Sequence, residues 1–173
     1  MKKLTHQEIL DRQKEKQILA RLPFCAVLNN IRSLYNVGSI FRTADGAGVE
    51  KLWLCGITGH PPSAMITKTA LGAQDSVAWE YREDVLTVVR ELKSKDYTIV
   101  LLEQTKTSIS FEHFVPKAPI CLIVGNEISG ASDELLALCD CAIEIAMRGS
   151  KNSLNVSVAF GIAAYRIANA IAS

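Results

Sequence analysis

Three polar clusters, each set directly behind an apolar run, hold the residues of this chain that could do chemistry. Asn29-Asn-Ile-Arg-Ser-Leu-Tyr-Asn36, extending to Arg42, follows Phe24–Leu28. Gly125-Asn-Glu-Ile-Ser-Gly130 follows Pro119–Val124. Arg148 to Asn155 follows Ala142–Met147. Together they offer amides, hydroxyls, a carboxylate and cations, a set that can hold and polarise a polar ligand on an apolar scaffold. In a parallel sheet, loops at the carboxyl ends of strands form the ligand crevice. The common phosphate-binding fingerprints are absent: there is no G-x-x-x-x-G-K-[ST], and Lys51 stands where the third glycine after Gly46-Ala-Gly48 would be needed. No G-x-S-x-G nucleophile elbow occurs either.

The elements that must position these clusters alternate between strand and helix. Residues 1–21 read as a basic amphipathic helix punctuated by Leu4, Ile9, Leu10, Ile18 and Leu19, with a local excess of three positive charges. Pro23 ends it. Phe24–Leu28 is an apolar strand; Val37 to about Ala47 is a helix for which Asn36 is a plausible N-cap; Lys51–Cys55 is the next strand. Residues 56–74 read as irregular because Pro61-Pro62 bars regular structure. Val77–Tyr81 reads as a short strand, 82–95 as a helix, Tyr97–Leu102 and Pro119–Val124 as strands, and Ser132–Leu138 as a short helix. Ala142–Met147 is a last strand, Arg148–Asn152 a loop, and Ser153 the expected cap of a helix running from Val156 to Ala172. The nearly all-apolar strands predict an α/β fold, a mostly parallel sheet with helices on both faces. The chain divides into an N-terminal basic helical extension, 1–22, and one domain, 23–173.

Length and composition agree. A chain of 173 residues with 49% hydrophobic content can bury one ample core. No apolar run reaches the roughly 18 residues of a membrane span, and the start lacks the apolar centre of a signal peptide. Cys25, Cys55, Cys121, Cys139 and Cys141 are odd in number and sit mostly in apolar runs, as reduced thiols of a cytoplasmic protein do. No standard ligand spacing points to a metal. The net charge of +1 leaves the partner undecided, and only local clustering can speak to it.

Asn36-Val-Gly-Ser-Ile-Phe-Arg42-Thr-Ala, Ile123-Val-Gly-Asn-Glu127-Ile-Ser-Gly130, and Ile145-Ala-Met-Arg-Gly149 followed by Ser153-Leu-Asn-Val-Ser-Val resemble, in order, the three motifs of the SpoU (TrmH) family of RNA ribose methyltransferases, within the SPOUT class. The resemblance runs from about residue 24 to the C-terminus. It implies S-adenosyl-L-methionine (SAM) as methyl donor, a ribose 2′-hydroxyl of RNA as acceptor, a homodimer, and a C-terminal trefoil knot that general topology rules would reject. The family usually has proline where this chain has Ala146.

By the same resemblance Arg42 is the catalytic arginine. A guanidinium is a very poor base, so Arg42 acts as an electrostatic organiser that makes the hydroxyl more acidic. Asn36 orients Arg42 or the substrate, Glu127 shapes the site, and Ser153 and Asn155 either position substrate or cap a helix. Leu102, Gly125, Asn126, Ile145, Met147 and Leu154 are expected around the cofactor, where adenine wants an apolar slot with backbone hydrogen bonds. Arg32, Arg42, Lys68, Arg148 and Lys151 lie in or near the loops and suit RNA phosphates, with tRNA favoured over rRNA. A non-catalytic RNA-binding protein on the same fold is the alternative, disfavoured because every polar motif position is filled.

Overall fold

In a computed structural model, which describes residues 2–17, 21–125 and 130–172 (without side chains for 13–17), strand-forming and helix-forming segments alternate along the chain. The elements are α1 (His6–Gln17), β1 (Leu22–Asn29), α2 (Leu34–Ala47), β2 (Val49–Cys55), α3 (Ala64–Ala70), α4 (Ala73–Ser76), β3 (Ala78–Arg82), α5 (Val85–Lys93), β4 (Thr98–Leu102), β5 (Ile109–Ser110), β6 (Ile120–Val124), α6 (Asp133–Leu138), β7 (Cys141–Glu144) and α7 (Val156–Ile171). The strands form one sheet in the order β3-β2-β1-β6-β4-β7-β5, and every pairing among the described residues is parallel.

The side-chain alternation of a strand divides the core into two layers. Phe24, Ala26, Leu28, Leu52, Leu54, Val100, Ile120 and Leu122 face α2, α3 and α7. Cys25, Val27, Trp53, Ile99, Leu101, Cys121 and Ile123 face α5 and α6, which contribute Val88, Val89, Leu92 and Leu135. β1, β6 and β4 lie between covered faces on both sides, which is why their sequences are continuously apolar.

Several expectations are corrected. The N-cap of α2 is Ser33, whose side chain accepts from the Asn36 amide; Asn36 itself lies inside the first turn. The N-cap of α7 is Asn155, accepting from the Ser157 amide at 2.9 Å, and Ser153 lies two residues outside the helix. Residues 56–74 are not irregular throughout. The proline pair constrains only its own neighbourhood, and after Ser63 the spacing of buried Ile66 and Ala70 forms α3. The last strand ends at Glu144, so Ile145 and Met147 leave the sheet and stand half-buried in the following loop. α1 is shorter than expected; Ile18 and Leu19 of its proposed apolar stripe lie outside the described residues, and Ile9 is exposed.

α2 sits between α3 and α7 on one face of the sheet, and glycines set the spacing. A Cβ at Gly38 would stand 2.1 Å from Thr69 Oγ1 and 2.4 Å from the Ile66 carbonyl oxygen, the second of them backbone that cannot rotate away. Gly38→Ala should therefore cost about 1–3 kcal/mol of stability through overpacking, read from equilibrium urea unfolding. A loss below about 0.5 kcal/mol would show that α3 can slide away from α2.

Candidate active site

The carboxyl ends of β1, β6, β4 and β7 all open on one edge of the sheet, and the polar clusters gather there. An open cavity of about 650 Å³ is bounded by Glu103, Gln104, Thr105 and Lys106 after β4, by Gly130, Ala131 and Leu136 after β6, and by Glu144 at the end of β7. A second, of about 470 Å³, shares Gln104 and Glu144 and continues along the 145–152 loop. Gln104 ties the walls together: its Nε2 donates to the Asn152 carbonyl at 2.7 Å. The Glu103 amide donates to the Ile143 carbonyl at 3.0 Å, and Ser108 Oγ donates to Glu144 Oε2 at 2.6 Å.

The expected cofactor residues gather at this edge. Ile145 and Met147 line the smaller cavity directly. Leu102 is the last residue of β4, next to Glu103; Leu154 follows Asn152 by two residues; both are half-buried. Gly125 and Gly149 would each project a Cβ into space empty of described atoms for 4 Å, so the backbone there is open to close approach. Asn126 and Glu127 lie outside the described residues. Sequence reasoning missed Glu103, Gln104, Lys106 and Glu144. The available signal was the abrupt Glu103-Gln104 behind the apolar Thr98–Leu102, a fourth polar loop at a strand's carboxyl end.

The residues expected to act on the acceptor are partly joined. Asn155 Nδ2 donates to Asn36 Oδ1 at 3.2 Å, linking the start of α7 to the first turn of α2 across 119 positions of sequence. Asn155 Oδ1 meanwhile accepts from both the amide and the hydroxyl of Ser157. Asn155 is thus cap and bridge at once. Ser153 is exposed. Arg42 lies six residues beyond Asn36 on α2, about 9 Å along the axis. It is exposed and has no hydrogen-bond or ion-pair partner among the described residues. Acidic neighbours neutralise other cations instead: Arg21 pairs with Asp45, Lys51 and Arg82 with Glu80, and Lys93 with Asp140.

Thiol chemistry has no foothold. All five cysteines are free. Burial, reinforced by Asp84, pushes the Cys55 thiol up to about 12, and burial with Asp140 pushes Cys139 up to about 11, so neither forms a thiolate at neutral pH. Among the described residues no group of three or more His, Cys, Asp or Glu side chains could hold a metal ion, and no helix is long and apolar enough to cross a membrane.

This arrangement recurs in known proteins. Residues 23–165 match the model of the SpoU rRNA methylase family. The chain is 34% identical over 162 residues to the tRNA (guanosine(18)-2′-O)-methyltransferase of Aquifex aeolicus, covering 91% of this chain and 71% of that protein. It is 30% identical to the 23S rRNA (guanosine-2′-O-)-methyltransferase RlmB of Shewanella oneidensis, covering 91% and 68%. The crystal structure of the A. aeolicus TrmH/SpoU tRNA modifying enzyme superimposes with a TM-score of 0.80 at 27% identity, covering 94% of this chain and 84% of that one. The SpoU methyltransferase AviRb of Streptomyces viridochromogenes, solved with AdoMet, shares the fold at a TM-score of 0.78 and 24% identity, covering 89% and 63%. A match spanning most of the chain, on a fold that superimposes along 94% of it, makes this protein a member of the SpoU methylase family.

Proposed function

We propose that this protein transfers a methyl group from SAM to a ribose 2′-hydroxyl of RNA, with tRNA favoured over rRNA. The observation that carries the reading is the Asn155–Asn36 hydrogen bond, which joins the α7 start, three residues beyond Asn152 of the smaller cavity, to the α2 start. The relative at 34% identity is named for a tRNA nucleotide and the one at 30% for 23S rRNA, so tRNA rests on the slightly closer likeness.

The cavities fit the cofactor. Ile145, Met147 and Leu136 supply apolar wall, Gly125 and Gly149 leave room beside the backbone, and Glu103 and Glu144 favour a cationic ligand. When bound, SAM supplies an electrophilic methyl group. Leu154, half-buried before the α7 cap and two residues past Asn152 of the smaller cavity, belongs to that slot in this reading. Leu154→Arg should abolish the saturable heat of SAM titration while leaving the circular dichroism spectrum intact. Unchanged affinity would refute the placement.

The chain's own residues handle the acceptor. The 2′-hydroxyl oxygen must carry partial negative charge as it attacks, so its proton leaves to water or to an RNA phosphate; the new C–O bond would form as the methyl–sulfur bond of SAM breaks, leaving a neutral thioether. A guanidinium is a very poor base, so Arg42 stays a cation, stabilises that charge and does not take the proton. Asn36, in the first turn of the same helix, and Asn155, the cap of α7, present side-chain amides joined to each other. Arg42→Ala should lower single-turnover methylation about 10²–10³-fold with SAM affinity retained, the pattern of a lost transition-state interaction. Arg42→Lys should rescue poorly, because an ammonium cannot bridge phosphate and hydroxyl through a planar fork. Wild-type rates for Arg42→Ala would reduce Arg42 to a binding residue.

Two further features belong to this reading. The knot is supported by the path of residues 103–119, which leave β4, pair with β7 at the sheet edge as β5, and return across α7. Arg166 of α7 donates to the carbonyls of Glu112 and Phe114, each at 3.2 Å, on that returning segment. A homodimer is supported by the outward stripe of α7, where Val158 and Tyr165 are about half exposed and Ile162 lies between them. Val158→Asp should shift sedimentation from dimer to monomer at micromolar concentration. A wild-type chain that sediments only as monomer there would dismiss the dimer.

A further inference from the structure

The outward ridge of α2 carries more than Arg42. Tyr35 precedes Arg42 by seven residues, two helical turns, so both project from the same side of the helix about 10 Å apart. Tyr35 is 45% exposed although it is a large aromatic side chain. Its main chain is held: the Tyr35 carbonyl accepts from Thr69 Oγ1 at 3.0 Å, and Gly38, one turn on, admits α3 into close contact. That contact brings the Lys68 ammonium to 5.9 Å from the centre of the Tyr35 ring. The ring is therefore anchored at its base, free on its outer side, and flanked by a cation.

Charge decides what the ridge is for. Arg32, Arg42 and Lys68 have no ion-pair partner among the described residues. α3 contains no acid, and the one acid of α2, Asp45, is engaged by Arg21 at 2.7 Å. A second copy of the chain placed on this ridge across a two-fold axis would set like charges against each other. A polyanion would not. Exposed aromatics beside unpaired cations are how proteins hold unpaired nucleotides, the base stacked on the ring and the phosphate on the cation.

We infer that Tyr35 is a stacking platform for a nucleobase of the substrate strand, with Lys68 on an adjacent phosphate, about three stacked bases' length from the nucleotide at Arg42. The inference rests on the methyltransferase reading and narrows it: the acceptor lies in an unpaired segment of RNA, since a base inside a duplex cannot reach the ring.

The test uses the full chain, SAM, and unmodified total RNA containing tRNA and rRNA together. Tyr35→Ala should raise the apparent KM for RNA about tenfold, within the range of a lost base–aromatic stack, while SAM affinity holds. Tyr35→Phe and Tyr35→Trp should restore it and Tyr35→Leu should not, because the requirement is a π-face and not bulk. Lys68→Ala should flatten the salt dependence of RNA binding by about one unit of slope. A short single-stranded RNA carrying 2-aminopurine should lose fluorescence on binding wild type but not Tyr35→Ala. If wild type methylates RNA and Tyr35→Ala shares its KM, the platform is refuted and the methyltransferase reading stands. If Tyr35→Ala converts a dimer to monomer with KM unchanged, the ridge faces a second subunit and the inference falls. If wild type methylates no RNA, the underlying reading fails and the platform with it.

Discussion

The close approach of α2 to both its neighbours is the constraint on which the site depends. Gly38 lets the α3 backbone in on one flank; on the other, Gly46 lies under the Tyr165 hydroxyl and Gly161 of α7 faces the Thr43 methyl. Val37, Ile40, Phe41 and Ala44 are fully buried on the sheet side. With the sheet side covered and both flanks closed, the remaining ridge carries Tyr35 and Arg42. The direction of Arg42 is thus set by how its helix is packed and not by hydrogen bonds to the described residues, and larger residues at the glycines would move Arg42 without touching it.

The polar groups at the head of that helix follow from the same packing. Two helices start side by side, and each must satisfy free amides in its first turn. Ser33 does so for α2 and Asn155 for α7. Asn155 has a second function open to it that serine lacks, because a side-chain amide both accepts and donates. Its oxygen serves its own helix while its nitrogen reaches Asn36. Asn36, relieved of capping by Ser33, keeps its own Nδ2 without a partner among the described residues.

Much of this was legible from residue order. Phe24–Leu28, Thr98–Leu102 and Ile120–Val124 read as strands because both their faces are buried, which leaves no polar positions to blur the pattern. Helix caps differ from expectation by two or three residues, although the α7 start at Val156 was read correctly, because Ser33 and Asn36, like Ser153 and Asn155, are equally competent caps; only the packing of α2 and α7 chooses between them. α3 was hidden by Pro61-Pro62, whose effect was extended too far along the chain: proline restricts itself and the residue before it, and Ser63 begins a new segment. The cavity wall at Glu103–Lys106 was overlooked because its contribution depends on sheet order. β4 lies between β6 and β7, and no local periodicity encodes that neighbourhood. The three motifs were visible as motifs because their residues are needed side by side in space, whatever element carries them.

An exposed arginine with no ion-pair partner among the described residues is a different tool from a buried catalytic group. A buried cation would need a partner to offset desolvation, and that partner would compete with the substrate. Arg42 incurs no such cost; its guanidinium is solvated and unpaired among the described residues. What it lacks is order, since an exposed arginine keeps about 2 kcal/mol of rotamer entropy that must be given up on engagement. An RNA phosphate held in a bidentate pair would supply the fixing contact, and the guanidinium's remaining donors would then point at the adjacent ribose. In the proposed mechanism the catalytic geometry is completed by the substrate: an RNA that cannot place a phosphate beside Arg42 would leave the arginine unfixed, and correct binding and correct chemistry would become the same event.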